Sequence, residues 1–126
     1  MRLVLDTHAF LWWLAGDQSL SKPARAAIAG GDVFVSAASA WEITTKYRIG
    51  KLAHAAHVAR DVQAAVIFQG FQTLSISLAH GQLAGLLPGP VSDPFDRMLI
   101  AQAMIEEMVL VSNEARFGAY AVKRLW

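Results

Sequence analysis

A chain of 126 residues is the length of one domain and long enough to bury a sizeable core. With 55% hydrophobic and 17% charged residues it is no disordered polypeptide, and a net charge of +1 excludes a global field that would attract nucleic acid or a membrane surface. The absence of cysteine excludes disulfides, thiolate metal sites and cysteine nucleophiles, and fits a cytoplasmic setting.

Leu3-Val4-Leu5 predicts a buried first strand, and Thr7 a cap for the helix after it, with Phe10, Leu11 and Leu14 on one face. Asp6 and His8 interrupt this N-terminal apolar stretch. Only Ala9 to Ala15 runs unbroken, too short for a membrane span and unlike a secretory leader. Ser21 as N-cap with Pro23 in the first turn opens a short helix that stops at Gly30-Gly31. Val33-Phe34-Val35 reads as the second strand. Ser36 then starts a helix to about Ile49, ended by Gly50, with Lys46 and Arg48 in the last turn where cations suit the helix dipole. A helix near 56–68 and a strand over 71–76 follow.

Residues 62–92 carry no charged side chain, but glutamines, serines and His80 break the segment up, so it reads as buried globular structure rather than membrane. Ser77 caps a helix reaching Leu87, which Pro88-Gly89-Pro90 stops. Asp93-Pro94 is an N-cap followed by proline at the first helical position, and Phe95, Met98, Leu99, Gln102 and Ile105 recur at helical spacing. Val109-Leu110-Val111 is the fourth strand and the Ala121-Val122 region a fifth. Short apolar runs alternating with helices predict one α/β domain over residues 1–126, built on a mostly parallel sheet.

On this layout four of the ten acids gather at one sheet edge. Asp6 follows the first strand and Glu114 the fourth. Asp96 lies in the first turn of the helix feeding the fourth strand, and Glu42 one to two turns into the helix after the second. In open parallel sheets the carboxyl edge is the usual ligand site. Carboxylates brought together raise one another's pKa or take a cation between them, and all-oxygen donors suit Mg²⁺ or Mn²⁺. Each acid also has a plainer reading. Asp6 and Asp93 are candidate helix caps, Asp96 a third residue favoured by the helix dipole, Glu42 a salt-bridge partner of Lys46, and Glu114 a loop acid. Jointly, in this order, they fit a site better.

Four ordered blocks carry a resemblance: LVLDTHAFLWWL at 3–14, SAWEITTKYRIGKL at 39–52, DPFDRMLIAQA at 93–103 and LVSNEARFGAYAVKRLW at 110–126. Together they resemble the PIN-domain nucleases, and within these the VapC-type toxins of bacterial toxin–antitoxin pairs. The resemblance implies a three-layer α/β/α sandwich with a parallel sheet in the order 3-2-1-4-5. It implies a toxin that is a metal-dependent endoribonuclease, in which water activated by Mg²⁺ or Mn²⁺ hydrolyses RNA phosphodiesters to 5′-phosphate and 3′-hydroxyl ends. Asp6, Glu42 and Asp96 are then the core acids. The fourth acid, commonly an aspartate two residues after a threonine, is here Glu114 after Ser112, one methylene longer. The segment before the third block, often basic or with a histidine in the family, is Val91-Ser92 here. A small VapB-like antitoxin occupying the acidic groove, and a homodimer, are further implications.

Around these acids, Thr7 and Ser112 are either hydroxyls hydrogen-bonded to a ligand carboxylate or caps, and Asp93 a cap that also supports the site. Arg97, Arg116 and Lys46 are candidate RNA-phosphate contacts, a solvated helix end being the plainer account of Lys46. Trp12 and Trp13 cannot both face the core of a one-sided helix, so one should line a surface groove. His54 and His57 lack a third ligand for zinc. Two other functions compete: a catalytically inactive module that keeps the fold and binds a partner, and an aspartyl-phosphate phosphatase with Asp6 as nucleophile. The phosphatase calls for a second acid two residues on, where His8 stands.

Overall fold

The computed structural model describes all 126 residues. In chain order the elements are β1 (Arg2–Leu5), α1 (Thr7–Ala15), α2 (Lys22–Gly30), β2 (Asp32–Ser36), α3 (Ala37–Arg48), α4 (Ala56–Arg60) and α5 (Val62–Phe68). They continue as β3 (Gln72–Leu74), α6 (Leu78–Leu86), α7 (Pro94–Glu106), β4 (Val109–Val111) and β5 (Lys123–Leu125). Short 3₁₀ turns occupy Ala53–Ala55 and Ala115–Ala119. The five strands are all parallel, in the order β3-β2-β1-β4-β5. No helix is long and apolar enough to cross a membrane.

β1 is the central strand, and Leu3, Val4 and Leu5 are each fully buried. The two-residue period of a strand sends Leu3 and Leu5 to one face and Val4 to the other. On the first face they pack with Phe10, Ile28, Ile43 and Val66, contributed by α1, α2, α3 and α5. On the second face Val4 packs with Leu99, Ile100 and Phe117, largely on α7. These two cores make the three-layer sandwich, and burying each such side chain contributes about 2 kcal/mol. Gly31 is required where α2 turns into β2, since a Cβ there would stand 2.7 Å from the Ala27 carbonyl and 3.0 Å from Leu3 Cδ1.

Sheet order explains where a ligand belongs. From β1 the chain builds outward through β2 and β3 on one side and through β4 and β5 on the other. The helices leaving β1 and entering β4 therefore diverge over the carboxyl ends of these two neighbours, which opens a crevice. Asp6 lies at the end of β1 and Ser112 at the end of β4, and the Asp6 N–H donates to the Val111 carbonyl at 3.0 Å.

Most local signals hold. Ser21, Ser36, Ser77 and Asp93 all cap their helices through side-chain oxygens. At α1 the two candidate caps separate: Asp6 performs the capping, its Oδ1 accepting from Ala9 N–H at 2.8 Å, and Thr7 is corrected to the first helical residue. The helix near 56–68 is two helices, because Asp61 leaves helical geometry and caps α5 through Ala64 N–H. β3 is shorter than the 71–76 run, consistent with an edge strand that pairs only with β2, over Phe34–Ser36. β5 starts at Lys123 rather than at Ala121-Val122, because a tight turn from Tyr120 consumes those residues.

Candidate functional site

Near the carboxyl ends of β1 and β4, Asp6 between β1 and α1, Glu42 on α3 and Asp96 on α7 lie within one another's fields. Asp6 is 7% exposed and Glu42 4% exposed, deep for carboxylates. Asp96 is half-buried in the first turn of α7, where Asp93 Oδ1 accepts from its N–H at 3.0 Å. The approach to α7 is held rigidly. Gly89 has φ +105°, the Tyr120 hydroxyl sits 2.8 Å from where a Cβ would be, and that hydroxyl accepts from Val91 N–H at 3.0 Å.

Hydrogen bonds orient each acid. Thr7 Oγ1 donates to Glu42 Oε1 at 2.5 Å and lies 3.0 Å from Ser39 Oγ. The Lys46 ammonium pairs with Glu42 Oε2, so both oxygens of this buried carboxylate are occupied. Ser112 hydrogen-bonds Asp6 through its side chain, while its Oγ accepts from Glu114 N–H at 3.0 Å. Thr7 and Ser112 therefore serve as carboxylate partners, one on each side of β1.

The electrostatics of the pocket are strained. Burial raises the Asp6 pKa, against the hydrogen bonds of Ser112 and Ala9 N–H and the charge of His8, and Glu42 pushes it further up. Asp96 is raised from 3.8 to about 7, by burial first and then by Asp93, Glu42 and Asp6, with Lys46 opposing. No Lys or Arg forms a salt bridge with Asp96. Burial works against the charge of Lys46, yet its hydrogen bond to Glu42 and the fields of Glu42, Asp93 and Asp96 raise its pKa overall. Negative charge thus exceeds positive charge in this pocket, and the excess favours a proton or a cation.

Glu114 behaves differently. It caps the 3₁₀ turn that follows it, and Arg116 Nε and Nη2 donate to its two oxygens at 3.0 and 3.1 Å. Arg116 is exposed, at 56% of its side chain, and Glu114 partly so, at 34%. Arg116 holds the Glu114 pKa low, and Glu114, with a smaller contribution from Asp96, raises that of Arg116.

Among the candidate phosphate contacts, Arg97 is a correction. Its Nε donates to the Ala84 carbonyl at 2.9 Å, Nη1 to Val91 at 2.7 Å, and Nη2 to Leu87. All three nitrogens are committed to the end of α6 and the loop after it, so this cation braces backbone. Trp12 lines a groove of about 950 Å³ between α1 and the α4–α5 pair, with Leu11, Leu14, Val58 and the exposed Phe68. Trp13 instead packs on Phe71 and donates Nε1–H to Gln69 Oε1 at 2.9 Å. This groove is lined by His8, Asp17 and Asp61 among others, and by none of Asp6, Glu42, Asp96 and Glu114.

Two features escaped the sequence reading. Ser39, fully buried, joins the Thr7–Glu42 network; its position three residues before Glu42, on the same helix face, was the available signal. Gln102, also fully buried, accepts from Ser36 Oγ at 2.5 Å and donates to the Ser75 carbonyl at 3.3 Å. It ties the start of α3 to the middle of α7, the helices bearing Glu42 and Asp96.

An all-oxygen donor set of uncompensated carboxylates is chemically suited to a hard divalent cation. In this arrangement, however, no three His, Asp or Glu side chains stand close enough together to hold one. Glu42 is engaged by Thr7 and Lys46 instead.

The chain is similar over 98% of its length to a solved structure of FitAB bound to a DNA fragment, covering 93% of that chain at 18% identity with a TM-score of 0.70. It is similar over 99% of its length to VapBC2 from Rickettsia felis bound to a promoter DNA fragment, covering 98% of that chain at 14% identity and TM-score 0.68. FitAcB from Neisseria gonorrhoeae matches over 98% of this chain and 96% of that one, at 16% identity and TM-score 0.65. At these identities the likeness is one of fold. No curated protein sequence matches. The PIN domain model matches residues 3–123, almost the whole chain, and the chain belongs to the PIN domain family.

Proposed function

We propose that this protein is a metal-dependent endoribonuclease and the toxin of a toxin–antitoxin pair. The observation that carries the reading is that Asp6, Glu42 and Asp96 lie within one another's fields at the carboxyl edge of the sheet, two of them buried, with the Asp96 pKa lifted to about 7. Asp6 and Asp96 are the residues that would hold Mg²⁺ or Mn²⁺, with Glu42 joining them once freed from Lys46. A divalent cation there supplies Lewis-acid polarisation of a phosphodiester and a lowered pKa for water in the pocket.

The chain's own residues do the rest. Thr7 and Ser112 orient Glu42 and Asp6 through their hydroxyls. Asp93 keeps the first turn of α7, and with it Asp96, in place. Arg116, exposed and paired with Glu114, would meet an RNA phosphate. Glu114 anchors Arg116 and completes the negative wall from the outside; it is the acid furthest from a direct ligand role.

The solved structures similar to this chain include a toxin–antitoxin complex from Klebsiella pneumoniae and three VapBC or FitAB structures that carry DNA, which supports a VapB-like antitoxin as partner. A homodimer and a cytoplasmic site of action complete the proposal. The decisive assay is RNA cleavage by purified, antitoxin-free protein with and without Mn²⁺ or Mg²⁺, with Asp6→Asn and Asp96→Asn as controls. Metal-stimulated cleavage lost in both variants is expected. Cleavage indifferent to both substitutions overturns the assignment, and metal binding without cleavage by the unaltered chain favours a binding module.

A further inference from the structure

We propose that Lys46 is the resident counter-ion of the acidic pocket, an ammonium that occupies Glu42 and must be displaced before Glu42 can take up a divalent cation. The inference deepens the metal-dependent reading above and rests on it. Its basis is geometric. Lys46 and Glu42 stand four residues apart on α3, so they share one helix face, and the ammonium pairs with Oε2 while Thr7 Oγ1 holds Oε1 at 2.5 Å. Glu42 is 4% exposed, and the ammonium is the positive charge set against its burial. Lys46 is also within the field of Asp93 and Asp96, so one charge serves three carboxylates.

The two ends of Glu42 differ in how readily they can be released. Thr7 is buried, at the first position of α1, and is fixed by the backbone of that helix. Lys46 keeps 30% of its side chain exposed on a flexible four-carbon stem. Rotation about that stem moves the ammonium from Oε2 toward solvent without any backbone change. A cation arriving in the pocket therefore competes with Lys46 for one oxygen, and the gain in cation binding is reduced by the cost of breaking the pair. The released ammonium stays at the pocket mouth, where an RNA phosphate would pass.

The test is calorimetric titration of Mn²⁺ into the RNA-free, antitoxin-free protein, comparing the unaltered chain with Lys46→Met and Lys46→Arg. Lys46→Met is expected to bind Mn²⁺ about tenfold tighter, because the competing charge is gone while the aliphatic stem is kept. Lys46→Arg is expected to stay within about threefold of the unaltered chain, since the counter-ion is preserved. In a Glu42→Gln background, Lys46→Met is expected to change affinity by under about twofold, because no carboxylate is left to compete for. Unchanged or weaker Mn²⁺ binding by Lys46→Met overturns the inference and leaves the metal-dependent reading standing. An equal gain in both backgrounds also overturns it, pointing to general charge repulsion. Failure of all variants to bind Mn²⁺ overturns the metal-dependent reading and this inference with it.

Discussion

Glu42 and Glu114 are both glutamates at the carboxyl edge of the sheet, and each is paired with a cation of its own segment. Their surroundings separate them. Glu42 sits on a twelve-residue helix beneath Thr7 and Ser39, almost without solvent contact, and helps raise the pKa of Asp6 and Asp96. Glu114 opens a short turn, shares its two oxygens with Arg116 in the open, and has its own pKa lowered. The difference teaches that the number of acids at an edge says little about a pocket. Burial and rigid support determine whether a carboxylate acts on its neighbours or is merely satisfied by water and a nearby arginine.

The largest effect that this comparison predicts is on cleavage. Asp6→Asn and Asp96→Asn are expected to reduce RNA cleavage by about a thousandfold or more, corresponding to about 4 kcal/mol of transition-state stabilisation, while Glu114→Gln costs under about tenfold. Initial rates on a single RNA under one metal condition settle the ranking. An equal loss at Glu114 would erase the distinction between pocket and rim.

The two arginines offer the next contrast. Arg97 donates to three backbone carbonyls, so Arg97→Met is expected to lower unfolding free energy by about 2 to 3 kcal/mol in a denaturant titration. Arg116→Met should leave stability within about 0.5 kcal/mol and instead raise the KM for RNA. Reversed outcomes would return Arg97 to the substrate-binding surface.

Acidity separates the two regions again. The Asp96 carboxyl titrates at about 7 in the folded chain, against an ordinary value of 3.8. The folded state therefore binds that proton more tightly than the unfolded state, and stability falls as pH rises from about 4 through 7. Asp96→Asn removes this penalty. It is expected to stabilise the metal-free protein by about 2 kcal/mol at pH 8, a figure discounted for solvent screening, and by close to nothing at pH 4. Thermal melts across that range check it, and a gain independent of pH would contradict the pocket electrostatics. The smallest effect belongs to Glu114→Gln, whose melting temperature should stay within about 1 °C of the unaltered chain at every pH because the group is open to solvent.

Much of the fold was legible because local signals carried it. Ser21, Ser36, Ser77 and Asp93 mark helix starts through their own oxygens, and Leu3-Val4-Leu5 and Val109-Leu110-Val111 are apolar runs that only a sheet buried on both faces accommodates. The sheet order came from resemblance rather than periodicity, since short apolar runs do not say which strands are neighbours. Positions decided by tertiary contact were less legible. Asp61 reads as one more polar residue in a helical stretch until its side chain caps α5. Asp6 and Thr7 are both good capping types, and which of them caps α1 depends on where β1 ends.

The site shows the same division. Spacing brought Asp6, Glu42 and Asp96 to one edge of the sheet. The pairing of Lys46 with Glu42 was readable from their separation on α3, but its depth was not, because that depends on α1 crossing above it. Arg97 lies one residue from Asp96, and nothing in that adjacency shows that its guanidinium turns back into the end of α6.

We infer that Asp6 and Asp96 together hold a divalent cation at the carboxyl ends of β1 and β4. Anomalous difference density from a crystal soaked in Mn²⁺ tests it most directly. The account predicts a peak within about 2.5 Å of an oxygen from each of Asp6 and Asp96, absent in Asp96→Asn crystals. Density elsewhere on the molecule, or none at all with both carboxylates ionised, would contradict it.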